Sequence, residues 1–233
     1  MRNLLLVGLV VCALFSFAQE EQEAVRDSIP IELAKKIFIY NASKQFNDAV
    51  VTRVALYNLL AENPNNYALR DSLALMYLQQ QQYASAALVA QEVASVVPEN
   101  MFATEIAATA FERLGVKNKA LNYYEKLSLN DSENLGFLYK MAFLQNDLKL
   151  YEEALASAQM IQDKEASSEM MLIFPTDDGK GQEVSIKLAA IRLKGMVEES
   201  RDNKAKAIEY YNAVLSQSPN FEIVKKQLED LSK

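Results

Sequence analysis

Apolar residues recur three and four positions apart through Leu69, Leu73, Ala74 and Tyr77, the spacing of one helix face. A polar break at residues 79–82 follows, and a second such face runs through Tyr83, Ala86, Ala87, Ala90 and Val93. The two-helix unit then returns. Ala74, Ala108 and Ala142 stand 34 residues apart, as do Ala86, Ala120 and Ala154. Asn66, Asn100 and Asn134 keep the same step of 34, with Leu73, Ala107 and Met141, and with Val93, Leu127 and Ile161. Five columns in one register make this a repeat of helix pairs, all-α in class.

The columns have physical uses. Each Asn precedes a first helix, where its side chain can accept from free backbone N–H groups. Pro64, Pro98 and Pro219 follow second helices, where proline ends the segment. Small residues at two places per unit let paired helices approach to the short end of the 8–10 Å range. The packing set is therefore Ala74, Ala86, Ala108, Ala120, Ala142, Ala154, Gly195 and Ala207.

These residues resemble the tetratricopeptide repeat (TPR). Residues 67–100 carry Ala74, Tyr77, Tyr83, Ala86 and Pro98 of its pattern. Residues 101–134 carry Ala108, Phe111, Ala120 and Tyr124, and residues 135–168 carry Ala142, Tyr151 and Ala154, both without the closing proline. Residues 188–221 supply Gly195, Ala207, Tyr211 and Pro219. A degenerate unit at 30–66 supplies Phe46, Ala49 and Pro64, with about three extra residues and Ile37 in the small position. The resemblance implies a helix-pair solenoid whose first helices line a concave surface that docks a protein or peptide.

The step from Ala154 to Ala207 is 53, an excess of 19 over the period. Within the excess, the apolar residues 170–174 and the segment 183–186, with Val184 and Ile186, flank Pro175, Asp178 and Gly179, the signature of a β-hairpin inserted at 169–187. After Pro219, Phe221, Ile223, Val224, Leu228 and Leu231 give 222–233 the face of a capping helix that shields the last repeat.

The chain opens with Arg2, an apolar run from Leu4 to Phe17, and the small-x-small ending Ser16-Phe17-Ala18. This predicts a secretory signal at 1–18, with an acidic linker at 19–29 behind it. The run is short of the ~20 apolar residues of a membrane span, so no integral span is expected after cleavage. The chain is then periplasmic or secreted, in a bacterial envelope. Cys12, the one cysteine, lies inside the leader. The alternative is a lipoprotein anchored to the outer membrane through Cys12, although Val11 is bulky where such signals place a small residue.

Composition removes most chemistry. Among 233 residues there is no His and no Trp, and six Gly. Zinc, haem and triad chemistry of the usual His-based kind is excluded, and cleavage after Ala18 would remove the thiol as well. A net charge of −7 disfavours nucleic acid. Asp177-Asp178-Gly179 lacks the ligand spacing of a calcium loop and reads as a turn. Glu152-Glu153 and Glu198-Glu199 are adjacent on helices and do not share a face. No phosphate loop or nucleophile elbow is present. No catalytic residue, cofactor or metal is therefore expected.

The reading is a non-enzymatic exported scaffold that holds a protein or peptide in its groove. On the first helices, Leu75, Leu78, Phe102, Tyr139, Phe143 and Met196 form the expected apolar strip, edged by Asp71, Glu105, Lys140 and Arg192. TPR proteins that clamp acidic chaperone tails need donors where this chain has Asp71, Leu75, Ile106 and Gly136. Lys140 alone is compatible.

Overall fold

The computed structural model describes residues 29–232. The expected leader, Cys12 and most of the linker lie outside the described residues. Five helix pairs follow one another: α1 (Ile31–Gln45) with α2 (Ala49–Glu62), α3 (Tyr67–Gln79) with α4 (Tyr83–Val96), α5 (Met101–Arg113) with α6 (Lys117–Asn130), α7 (Leu135–Asp147) with α8 (Tyr151–Asp163), and α9 (Ile186–Ser200) with α10 (Lys204–Gln217). A final helix, α11 (Glu222–Leu231), lies on α10. Each second helix also packs on the first helix of the next pair, so the array is a stack.

Local chemistry starts the three middle first helices, α3, α5 and α7, where the Asn columns predict. The Asn66, Asn100 and Asn134 side chains accept from the N–H groups of Leu69 (3.2 Å), Ala103 (2.9 Å) and Phe137 (3.3 Å). Each cap satisfies a backbone donor that a helix start otherwise leaves bare. Between the helices of each pair the chain reverses through one left-handed residue: Asn47, Gln81, Gly115, Lys149 and Asp202, with φ from 55° to 73°. The next N–H then donates to the carbonyl five residues earlier, at 2.8–2.9 Å, from Asp48 to Ser43, Gln82 to Tyr77, Val116 to Phe111, Leu150 to Gln145 and Asn203 to Glu198. This is the Schellman closure. Its repetition gives each pair the same reversal.

That turn corrects the register of the first pair. Asn47 stands 34 before Gln81, so no extra residues are inserted there. The position of Ala74 is held by Tyr40 instead of Ile37, and that of Ala86 by Thr52 instead of Ala49. Thr52 is buried, and its Oγ1 donates to Asp48 O at 2.7 Å and lies 2.9 Å from Ser43 Oγ. A hydroxyl pair thus replaces the alanine contact. The remaining alanine columns, Ala74, Ala86, Ala108, Ala120, Ala142, Ala154 and Ala207, are 0% exposed. Gly195 has a sharper reason for being small: a Cβ there would stand 2.7 Å from Tyr211 Cδ1.

The insertion is a 3₁₀ turn (Glu165–Ser168) followed by an antiparallel hairpin, β1 (Met171–Phe174) with β2 (Gln182–Ser185). Its inward side chains join the last repeat. Phe174 meets Phe221 edge-on at 5.0 Å, and Val184 lies in one buried cluster with Tyr211, Val214 and Val224. The hairpin and α11 together close the C-terminal end. Among the described residues no element covers the N-terminal end. Phe38 and Ile39 on α1 are 71% and 48% exposed, whereas Ile106 and Ala107, two repeat steps later, are 2% and 0% exposed on α5, which packs on α4.

Candidate docking surface

First helices stand side by side along one face of the stack, but unevenly. α3 lies against α5, and α7 against α9. Between the other neighbours there are clefts. One, of about 500 Å³, separates α1 from α3 and is lined by Tyr40, Lys44, Leu56, Leu75 and Met76. The other, of about 430 Å³, separates α5 from α7 and is lined by Glu105, Thr109, Tyr124, Gly136, Phe137 and Lys140.

The ten expected groove residues divide accordingly. Asp71 accepts from Asn100 Nδ2 at 2.7 Å, and its other carboxylate oxygen is buried without a partner among the described residues. Burial holds its carboxyl above the ordinary aspartate range, with the Asn100 donation working against the rise. Leu75 and Leu78 lean on the central core, and Leu75 also lines the α1–α3 cleft. Phe102 is exposed. Glu105 and Lys140 face each other across the α5–α7 cleft, where Lys140 Nζ is 2.7 Å from Glu112 Oε1. The second oxygen of Glu112 accepts from the Tyr124 hydroxyl at 2.6 Å. Burial first, and then this acidic neighbour, raise the Tyr124 pKa and keep the phenol a donor.

The C-terminal part of the expected strip is closed by the chain itself. Tyr139, Phe143 and Met196 pack on one cluster together with the hairpin's Leu172. Arg192, expected as an open charge, is 6% exposed. Its Nε donates to Gln227 Oε1 of α11 at 2.7 Å, and its guanidinium lies 5.6 Å from the centre of the Phe174 ring. Gln227 in turn donates to the Tyr211 hydroxyl at 3.0 Å, which donates to Glu199 at 2.7 Å. Arg192 ties three elements together and offers nothing to solvent. A self-docked hairpin and a capping helix occupy the place where the strip was expected to continue.

Solved structures share this architecture. A tetratricopeptide repeat protein from Parabacteroides merdae superposes with a TM-score of 0.66 at 21% identity, over 87% of this chain and 73% of that one. YrrB, described as a TPR protein with an unusual peptide-binding site, gives 0.67 at 12% identity, over 83% and 90%. MamA from Desulfovibrio magneticus gives 0.62 at 11% identity, over 83% and 99%. The chain has the TPR fold. No family model and no curated protein sequence matches this TPR solenoid.

In a TPR solenoid the inner face is a set of fixed side chains, and here it opens at the α1–α3 and α5–α7 clefts. The α5–α7 cleft lies in the middle of the stack. It pairs an aromatic wall, Phe137 and Tyr124, with one acidic and one basic edge, Glu105 and Lys140. Thr109 and Phe137 were missed by sequence reasoning, although Thr109 stands one step of 34 from Leu75 and from Phe143. Among the described residues no group of three His, Cys, Asp or Glu could hold a metal, and no helix is long and apolar enough to cross a membrane.

Proposed function

We propose that this TPR solenoid is an exported, non-enzymatic scaffold that docks a segment of a partner protein on its inner face, with the α5–α7 cleft as the centre of the site. The observation that carries the reading is that cleft: an aromatic-floored gap of about 430 Å³ between two first-helix contacts, α3 with α5 and α7 with α9, with an acidic and a basic edge. Its side chains are already ordered by packing and by the Lys140–Glu112–Tyr124 chain, so little ordering entropy remains to be lost on binding. The printed description of YrrB as having a peptide-binding site supports the same class of ligand.

A photo-crosslinking amino acid placed at Thr109 tests the docking in the native cell, with Leu129, 86% exposed among the second helices, as control. A discrete protein adduct from Thr109 alone is expected. Equal labelling from both positions, or none from either, overturns the reading. Export is tested separately by mass spectrometry of the mature N-terminus. A chain starting at Gln19 supports a free protein, whereas an acylated Cys12 means an envelope factor held at the membrane.

A further inference from the structure

The hairpin has backbone groups with no assigned use. Ile186 N donates to Met170 O at 2.8 Å, which makes residues 170 and 186 a hydrogen-bonded pair. The register, Met171 with Ser185 through Phe174 with Gln182, carries that alternation along the ladder. Bonded pairs are then 172 with 184 and 174 with 182, and the wide pairs are 171 with 185 and 173 with 183. The N–H and C=O groups of Met171 and Ile173 therefore point away from β2. The sheet has two strands, and no described side chain reaches these groups. Their own side chains are 54% and 74% exposed.

An edge of this kind is usually blunted by charge or proline. β1 carries no charge, and Pro175 follows it just outside the strand. β2 is tied to the end of the stack by a side chain: Gln182 Nε2 donates to Asn220 O at 3.0 Å and its Oε1 accepts from Glu222 N at 3.3 Å. The start of β1 lies beside the cleft. A Cβ on Gly136, which lines the α5–α7 cleft, would stand 3.6 Å from Met170 Cε.

We infer that β1 anchors the docked partner by strand addition: an extended partner segment, apolar at alternate positions and basic at the end that passes Glu169, pairs with Met171 and Ile173 as a third strand and runs on into the α5–α7 cleft. The inference rests on the docking reading above. Apolar residues are called for beside Met171 and Ile173, because cross-strand neighbours on one face touch. A basic end is called for because Glu169, just before β1, is exposed and forms no ion pair among the described residues. A second copy is the poorer occupant. Two β1 edges can pair about Leu172, but four-residue strands bury far less than the ~1,200 Å² of a stable interface. A partner that also fills the cleft adds the missing area.

The probe is a synthetic peptide of alternating valine and threonine with lysines at both ends, added in large excess to the full chain and followed by amide hydrogen exchange. Exchange at Met171 and Ile173 should slow at least tenfold, while Leu172 and Phe174, already bonded to β2, stay unchanged. The same peptide N-methylated at alternate amides should give no protection. Absence of protection at both amides overturns the proposal, as does equal protection by the N-methylated peptide. Protection confined to cleft residues such as Thr109 and Phe137 overturns strand addition while leaving cleft docking intact. Concentration-dependent protection of the edge without peptide assigns it to a second copy, and also overturns the proposal. Loss of the Thr109 adduct with edge protection retained would instead strike the docking reading.

Discussion

At the residue scale, single contacts decide whether helices can approach. Gly195 admits the Tyr211 ring, and any Cβ must displace it. Gly195→Ala is expected to cost about 1–3 kcal/mol as an overpacked site, read as a lower midpoint in urea unfolding. A midpoint equal to the parent's would show that the ring can shift freely. Asn100 serves twice, accepting from Ala103 N and donating to Asp71. Asn100→Ala should therefore cost at least the ~1 kcal/mol of a lost cap, measured in the same way. Asp71 sets a pH dependence. Its carboxyl titrates higher in the fold than in the open chain, so the fold binds more protons and loses stability as pH rises from about 4 through the raised value. Asp71→Asn should abolish that decline and exceed the parent in melting temperature at neutral pH. A parallel decline in the variant would assign it to another group. Much of this scale was legible beforehand: the alanine and asparagine columns announced themselves by spacing. The left-handed turns did not, because Asn47, Gln81, Lys149 and Asp202 stand where glycine would have given the sign.

At the element scale, the helix pairs were legible because each carries its own period and cap. The register of the first pair was not. Tyr40 and Thr52 fill its small columns, and the hydroxyl contact between Thr52 and Ser43 has no signature in spacing. The hairpin was visible from its apolar residues on either side of Asp178 and Gly179. Its docking onto α9 and α11 was hidden, since contacts such as Phe174 with Phe221 join residues far apart in sequence. That contact makes α11 and the hairpin one element mechanically. Phe221→Ala should cost about 3–5 kcal/mol and, more tellingly, speed amide exchange in β2 as well as in α11. Faster exchange in α11 alone would mean that the hairpin holds itself.

At the scale of the whole molecule, charge and composition bounded the function class, while the shape of the inner face came from how the pairs stack. The expected strip ran along α3, α5, α7 and α9. Its C-terminal third is instead shut by the chain's own later segments, which no column spacing could reveal. The two ends of the stack also differ. Arg192, Gln227, Tyr211 and Glu199 knit the last pair to its cap, whereas Phe38 and Ile39 stay exposed among the described residues. In a stack where each unit leans mainly on the next, opening begins at the weaker end. Pulled by its termini, the molecule should come apart like a seam unpicked from one side, α1 and α2 yielding at the lowest force and the hairpin-braced end last.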